Sequence, residues 1–172
     1  MPYQHKYDKR GSAKIGNEAE RKFIGIASKR GFHCDLSSEY ENKVLGIDIW
    51  ITKKDKRKGV DVKAQKKESA KDKNPSEEWT WIEYKNEYGY DGWLLKQADY
   101  IAFEKKDYFL VVDRISLYEL CEKLIDKNKE YAKRAVNAKY IFYNRRDEEL
   151  MSQIKTSDIL KIKRKSIWQK SK

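Results

Sequence analysis

Three residues in two neighbouring apolar segments have the chemistry of a metal site beside a fixed positive charge. Asp48 lies within the segment Val44–Thr52, and Asp61 and Lys63 alternate with apolar residues in the segment 60–65. Strand interiors disfavour aspartate, and a carboxylate beside a core is costly unless it pairs with or binds a cation. Carboxylates on paired strands also repel each other, which a divalent cation relieves. We therefore expect Asp48 and Asp61 to bind Mg²⁺, which prefers oxygen ligands. The Lys63 ammonium would orient a water or stabilise charge on a phosphate.

The alternation of side chains along both segments predicts how these groups face each other. In the first segment Asp48 points away from its isoleucine neighbours. In the second, Asp61 and Lys63 share one face with Gln65, a candidate for contacting the nucleophile or a phosphate. The charged stretch 53–59 between the segments predicts a turn, and therefore an antiparallel hairpin. An ordinary solvent-facing edge strand is the competing interpretation of the second segment.

A helix predicted from Ser12 to Arg30 supplies a third carboxylate. Gly31 follows as a helix stop. Glu20 lies beside the apolar stripe of this helix, whereas Glu18 shares its face with solvated residues, so we prefer Glu20 as the inward carboxylate. The stripe recurs at steps of three and four, through Ile15, Ala19, Phe23, Ile26 and Ala27.

The order of these elements resembles the PD-(D/E)XK nuclease superfamily. The matching residues are Glu20 on the helix, Asp48 in GID, and the D-x-K element Asp61-Val62-Lys63, within about residues 12–66. The stretch from the helix through RGF to GIDIWI looks most like archaeal-type Holliday-junction resolvases and related phage endonucleases. Two positions depart from the pattern, because Ile47 replaces the proline of the family name and Asp61 stands where relatives often carry glutamate.

The resemblance implies a fold, a reaction and a metal. The fold would be α/β and restriction-endonuclease-like, with a central mixed β-sheet flanked by helices. The reaction would be hydrolysis of DNA phosphodiester bonds, including those of branched or other structured DNA, to 5′-phosphate and 3′-hydroxyl ends. Mg²⁺, with Mn²⁺ as a substitute, would be held by Glu20, Asp48, Asp61 and the Val62 carbonyl, and Lys63 would position the nucleophile. Many relatives dimerise, because one site cuts one strand, so a homodimer is also an expectation.

The rest of the chain predicts further strands and a helix in one domain, residues 1–172. Strands are expected at 79–84, 99–104, 108–113 and 140–143, and a capping box of Ser116 and Glu119 predicts a helix ending near Ile125. Residues 126–138 are a weaker helix candidate, and Ser157 is a candidate cap for a short helix. Residues 1–11 are predicted to be loose, residues 66–78 to be a mobile charged loop, and residues 161–172 to be a basic tail.

The charge of the chain favours a nucleic-acid partner. The 39 Lys and Arg residues outnumber the 28 Asp and Glu residues, which gives a net charge of +11, and a phosphate backbone is the usual acidic partner of such a protein. We expect DNA, with RNA not excluded, whereas a lysine-rich proteome is the competing explanation. Basic residues near the site are candidates for gripping the backbone, although a solvated loop is the alternative: Lys53, Lys54, Arg57, Lys58, Lys66 and Lys67.

Other features of the sequence set limits. No apolar stretch or secretory signal indicates a membrane or export, so the expected compartment is the cytoplasm. Cys34 and Cys121 match no metal-ligand spacing. Glu83 and Lys85 could approach the site from the third predicted strand, although a cross-strand salt bridge is favoured for them. The rings of three tryptophans could stack on bases or pack in the core: Trp79, Trp81 and Trp93.

Two other functions remain open on the sequence alone. One is a non-catalytic nucleic-acid-binding subunit that keeps the fold without the chemistry. The other is an exonuclease or an RNA-directed nuclease that uses the same site. The presence of Asp48, Asp61 and Lys63 together favours the metal-dependent endonuclease.

Overall fold

A mixed central sheet forms the frame of the protein. The computed structural model describes the backbone of residues 9–170 and the side chains of residues 17–170. Within this part of the chain, six strands lie in the order β1-β2-β3-β5-β6-β9, and β3 runs parallel to β5 while the other neighbours are antiparallel. These strands are β1 (His33–Leu36), β2 (Ile49–Lys53), β3 (Lys56–Lys63), β5 (Tyr100–Glu104), β6 (Tyr108–Asp113) and β9 (Lys165–Gln169).

A smaller antiparallel sheet and the helices complete the fold. The smaller sheet has the order β4-β8-β7 in the described chain. Its strands are β4 (Trp79–Lys85), β7 (Tyr143–Asn144) and β8 (Leu150–Lys155). The helices are α1 (Lys9–Lys29), α2 (Glu39–Lys43), α3 (Arg114–Leu124) and α4 (Thr156–Ile159). The predicted class, mixed α/β with a mixed central sheet flanked by helices, is confirmed.

The central sheet separates two hydrophobic cores. Since neighbouring residues of a strand point to opposite faces, each strand contributes to both. The first core lies under α1 and includes Ala19, Phe23, Ala27, Ile49, Ile51, Val60 and Val62. The second lies on the opposite face, against β4 and α3, and includes Ile82, Trp93, Ile101, Phe103, Leu110 and Leu117. Asp61 and Lys63 alternate with the valines of β3 and so face the second core.

Local signals explain the elements that carry the site. Helix α1 buries Ala19, Phe23 and Ala27 and is followed by Gly31 at φ +87°, a conformation that favours glycine. The β2–β3 connection is a two-residue turn in which Lys54 and Asp55 both have positive φ, as a type I′ hairpin requires. The predicted helix and antiparallel hairpin are therefore confirmed, but the turn is shorter than the predicted stretch 53–59, because β3 already begins at Lys56.

The predicted strand from Val44 to Thr52 is wrong in its first half. Residues 39–43 form α2, which begins with a capping box between Ser38 and Glu41, and Gly46 at φ +69° turns the chain before β2. The strand starts only at Ile49, so Asp48 lies immediately before the strand. The break was not predicted because the segment is a nearly continuous run of apolar residues. A short helix and a turn do not alter such a run enough to exclude a strand.

Several other boundaries also differ from the predictions. The cap of α3 is Asp113, whose carboxylate accepts the N–H of Ser116, rather than a capping box built on Ser116. The only helical structure in residues 126–138 is a 3₁₀ turn at 135–137. The late strand, predicted at 140–143, is limited to residues 143–144. Ser157 lies inside α4 instead of capping it.

The basic segment 161–172 is not a tail along its whole length. Residues 165–169 form the edge strand β9 on β6, and Trp168 is buried with its ring stacked on Phe23, 5.2 Å between centroids. Burial of this indole holds the segment to the sheet despite its charge. Residues 1–8 of the predicted loose N-terminus lie outside the described residues, and α1 already begins at Lys9. No helix in the described residues has the length and apolar character needed to cross a membrane.

Candidate active site

Asp48 is fixed by hydrogen bonds at the start of the β2–β3 hairpin. Its own N–H donates to the Val60 carbonyl at 2.9 Å. One carboxylate oxygen accepts the Val62 N–H at 2.8 Å, and the other accepts Asn42 Nδ2 at 2.7 Å. The carboxylate thus replaces a backbone partner of β3, which sets its position relative to that strand. Asn42 was not predicted as part of the site, because the sequence pattern of α2 is too short to be recognised.

Asp61 is a buried carboxylate next to two charged groups. It is 3% exposed, and Lys63 Nζ lies 2.8 Å from its Oδ1. Burial raises the pKa of Asp61 to about 8; the Lys63 ammonium opposes this rise, and the Asp48 carboxylate adds to it. The structure therefore brings Asp48 and Asp61 together, and the burial of Asp61 on β3 leaves little water to stabilise the charge of its carboxylate.

Lys63 remains an ammonium in spite of its surroundings. Burial acts to lower the pKa of Lys63, but the carboxylates of Asp61 and Asp48 outweigh it, so the pKa lies above its ordinary value. The ammonium also lies 5.2 Å from the centroid of the Trp93 ring, within the range of a cation–π interaction. These contacts fix a positive charge beside the acidic pair.

Glu20 reaches the same region from the opposite face of the sheet. Burial raises the pKa of Glu20, the Asp48 carboxylate raises it further, and Lys63 opposes the rise. This coupling places Glu20 close enough to interact with Asp48 and Lys63, whereas Glu18 is exposed. In the described chain, no group of three or more acidic, histidine or cysteine side chains is arranged to hold a metal ion.

The donor set nevertheless suits a hard divalent cation. Asp48, just before β2, and Asp61, on β3, supply carboxylate oxygens, and Mg²⁺ usually binds one or two carboxylates while keeping several waters. A cation between them would offset the repulsion that raises the pKa of Asp61. Glu20 as a further oxygen donor stays a prediction.

Two predicted residues take other positions. Gln65 follows the end of β3, is half-buried, and makes no hydrogen bond with the described part of the chain. Val62 buries its side chain in the core under α1 and donates its N–H to Asp48. Its carbonyl as a metal ligand stays a prediction.

The basic residues of the hairpin divide into engaged and exposed groups. Lys53 Nζ donates to the Arg30 carbonyl at 2.7 Å and therefore satisfies the end of α1. The Arg57 guanidinium lies 4.3 Å from the centroid of the Trp50 ring. Lys54 and Lys58 are exposed without such contacts in the described residues, so they are the better candidates for a phosphate backbone.

Lys66 and Lys67 begin a loop that is held in place by its backbone. The Lys66 carbonyl accepts the Ser76 N–H at 2.9 Å, and the Lys67 carbonyl accepts Trp81 Nε1 at 2.9 Å. The Lys67 side chain is exposed. Lys66 also has accessible surface, but desolvation by its surroundings and the nearby charges of Lys63 and Arg145 lower its pKa to about 8. The loop therefore presents two positive charges just beyond the candidate site.

Glu83 joins the site from the second sheet. Its Oε1 accepts the Trp93 N–H at 3.3 Å, and its charge contributes to the raised pKa of Lys63. The favoured cross-strand salt bridge is wrong, since neither Glu83 nor Lys85 forms an ion pair within residues 17–170. Trp93 packs in the second core, one of the two roles expected for it. Its contact with Lys63 was not predicted, because that contact depends on how the two sheets pack.

Comparison of the chain with protein-family models, with curated proteins and with solved structures finds no match.

Proposed function

We propose that the chain is a divalent-metal-dependent nuclease that hydrolyses DNA phosphodiester bonds at the site formed by Asp48, Asp61 and Lys63. One observation carries the proposal. A buried aspartate adjoins a second aspartate across a hairpin, with a fixed ammonium 2.8 Å from the buried one. Such an arrangement is unfavourable for stability alone, and perturbed carboxylates beside a cation are typical of catalytic sites.

Asp48 and Asp61, with Glu20 as a further donor, would hold Mg²⁺ or Mn²⁺. When bound, such an ion lowers the pKa of a coordinated water and neutralises the leaving oxygen of a phosphodiester. The fold of a PD-(D/E)XK nuclease, including a restriction-endonuclease-like arrangement, belongs to this same proposal.

The protein's own groups have separate tasks at this site. Asn42 and the Val62 N–H hold the Asp48 carboxylate in one orientation. Asp61 and Trp93 hold Lys63, whose ammonium orients the attacking water and stabilises charge on the phosphate. Because these supports come from the fold, the site needs little reorganisation when substrate binds.

The charge distribution favours a nucleic-acid substrate. The net charge is +11, and the hairpin that carries Asp61 presents exposed Lys54 in its turn and exposed Lys58 on β3. Phosphate contacts of this kind position a backbone without reading its sequence. DNA with branches or other structure is the form we propose first.

A cleavage assay tests the proposal. Plasmid, linear duplex, single-stranded DNA, a four-way DNA junction and single-stranded RNA are incubated with the protein in Mg²⁺, in Mn²⁺ or in EDTA. We expect metal-dependent cleavage of at least one DNA form. The cleavage rate of Asp61→Ala and of Lys63→Ala should be lower than that of the parent by a factor of about 100 or more. The matched controls Asp107→Ala and Lys129→Ala, both at exposed positions, should cut at the parent rate.

The pattern of substrates separates the alternative functions. Release of mononucleotides from ends would indicate an exonuclease, and a preference for the RNA strand an RNA-directed nuclease. Binding without cleavage under every condition would leave a non-catalytic binding subunit. Cleavage by Asp61→Ala at the parent rate would contradict the assignment of the site.

A further inference from the structure

A cleft begins at Lys63 and leads away from the carboxylates. It lies where the parallel strands β3 and β5 end, beside the first residues of β4 of the second sheet. Aromatic rings and lysine side chains dominate its lining. These residues are Trp79, Trp81, Trp93, Lys63, Lys66 and Lys105.

Positive charge in this cleft exceeds negative charge. Glu104 is the carboxylate among the lining residues, and it is already paired with Lys22 at 3.3 Å and with Lys170 at 2.9 Å. Within the cleft only Lys63 has a carboxylate partner, Asp61, in the described residues. The lining therefore favours an anionic ligand.

Lys105 is the least expected member of the lining. It is 4% exposed, and its ammonium donates to Thr80 Oγ1 at 3.0 Å, a hydroxyl that is also hydrogen-bonded to Thr156 at 2.8 Å. No carboxylate lies within ion-pair distance of Lys105 in the part of the chain that the structure describes. A buried ammonium with one neutral partner costs stability, and burial lowers its pKa to about 8. An anionic or carbonyl oxygen in the cleft would supply the acceptors that it lacks.

Two of the rings are the candidates for stacking, and each already has one aromatic neighbour. The ring centroids of Trp79 and Tyr140 are 5.5 Å apart, and those of Trp81 and Tyr143 are 6.2 Å apart. Trp79 and Trp81 lie two residues apart on β4 and so share a face, where both are half-buried. The indole N–H of Trp81 donates to the Lys67 carbonyl, which fixes the ring plane. Lys139 lies 4.6 Å from the centroid of the Trp79 ring, so positive charge continues beyond the cleft.

We propose that this cleft binds an unpaired nucleotide next to the bond that is cut, with its base against Trp81 and Trp79 and anionic or carbonyl oxygens facing Lys66 and Lys105. Paired bases stack on their neighbours and cannot offer a free face, whereas a single-stranded or locally unpaired base can. The cleft therefore selects DNA with unpaired bases beside the cleavage point. This inference rests on the proposed function for its adjacency to cleavage, although binding in the cleft can be tested without it.

Binding of labelled DNA in EDTA tests the stacking part of the inference. Fluorescence anisotropy is measured with a fluorescein-labelled 12-nucleotide single strand and with the corresponding 12-base-pair duplex. Since stacking on one aromatic ring is worth about 1–3 kcal/mol, Trp81→Ala should bind the single strand about tenfold more weakly. Duplex affinity should change less than about twofold. Trp81→Phe, which keeps a ring, should stay within about threefold, and Tyr88→Ala, which removes an exposed ring outside the cleft lining, should match the parent.

The buried lysine gives a second variant that does not depend on the ring. Lys105→Met keeps the length of the side chain and removes the charge. It should weaken single-strand binding and lower the slope of log K against log salt by about 0.7, the value for one phosphate contact on a single strand. The exposed neighbour Lys106→Met serves as the control and should leave the slope unchanged.

The inference is overturned if Trp81→Ala binds the single strand like the parent, if it weakens single strand and duplex equally, or if Lys105→Met keeps the full salt slope. These outcomes are distinct from failure of the nuclease proposal. A parent protein that never cuts DNA, but whose single-strand binding depends on Trp81 and Lys105, would contradict the nuclease and support the cleft. A parent protein that cuts DNA, with Trp81→Ala and Lys105→Met variants that bind the single strand normally, would support the nuclease and contradict the cleft.

Discussion

Asp61 and Lys63 are separated by one residue of β3, and each sets the protonation of the other. Burial makes Asp61 hard to ionise, and the Asp48 carboxylate makes it harder, while the same two carboxylates keep Lys63 charged. A cation binding at the acidic pair would favour the ionised form of Asp61. Asp61 is therefore suited to losing its proton when a metal binds. In the metal-free protein, the buried pair lowers the free energy of unfolding.

Lys105 allows this kind of cost to be measured away from the metal site. Its pKa falls from 10.5 to about 8, chiefly by burial, with Glu77 opposing the shift. Between these values the unfolded chain binds more protons than the folded one, so the free energy of unfolding rises with pH from about 8 to 10.5. Below pH 8 the full cost is present, roughly 3 kcal/mol for a shift of this size.

Lys105→Met should therefore stabilise the protein at neutral pH. The expected gain in the free energy of unfolding is up to roughly 3 kcal/mol at pH 7, and it should shrink as the pH rises from 8 to 10.5. Urea unfolding at pH 7 and pH 10 measures both values, and exposed Lys106→Met should differ little from the parent at either. A Lys105→Met protein that is less stable than the parent at pH 7 would show that the ammonium is not a burden to the fold.

At the scale of elements, the sequence predicted those whose signal is local. Helix α1, the β2–β3 hairpin and the strands β5 and β6 each show periodicity or turn residues within their own span. Helix α2 was missed because five residues are too short for a helical period, although Ser38 and Glu41 do carry its capping box. The place of β4 in a separate sheet was not predictable, since it depends on its pairing with β8, about seventy positions along the chain.

Two glycines test how the elements hold the site. At Gly92 an added Cβ would lie 2.5 Å from the carbonyl oxygen of Glu83, a backbone atom that cannot yield easily. Gly92→Ala should lower the free energy of unfolding by roughly 1–3 kcal/mol. It should also reduce cleavage, because Glu83 of β4 accepts the Trp93 N–H and so helps to position Trp93 against Lys63.

Gly25→Ala is the matched substitution on α1. An added Cβ at Gly25 meets nothing within 4 Å, and alanine is a better helix former than glycine. The variant should be more stable by roughly 0.5–1 kcal/mol. Thermal unfolding of both variants checks the pair, and equal effects of the two substitutions would argue against the packing described at Gly92.

At the scale of the whole molecule, the candidate site combines residues that are close to each other in the sequence with residues that are distant in the sequence. The closeness of Asp48 and Asp61 followed from the hairpin and is seen in the structure, whereas their role stays a proposal. Glu83 and Trp93 reach Lys63 only because the second sheet packs on the face of the first. No alternation within a single segment could have predicted that contact, and the same holds for the cleft beside it.

The net charge of the molecule predicts binding that depends steeply on salt. If Lys54 and Lys58 contact phosphates, replacing both with alanine should lower the slope of log K against log salt for duplex DNA by about 1.8. Affinity should fall by a similar factor for unrelated sequences. Alanine at two exposed lysines of another loop, Lys129 and Lys133, provides the control. Equal slopes for the two double variants would place the DNA elsewhere.

The central claim is that Asp48 and Asp61 share a divalent cation beside Lys63, and Mn²⁺ binding measures it without substrate. Calorimetric titration of Mn²⁺ into the parent, Asp61→Asn, Asp48→Asn and the exposed control Asp107→Asn compares their affinities directly. We predict that the parent and Asp107→Asn bind alike. The other two should bind at least about tenfold more weakly, because even outer-shell partners of a metal are worth about 10- to 100-fold. Unchanged Mn²⁺ affinity in Asp61→Asn and Asp48→Asn would contradict the claim.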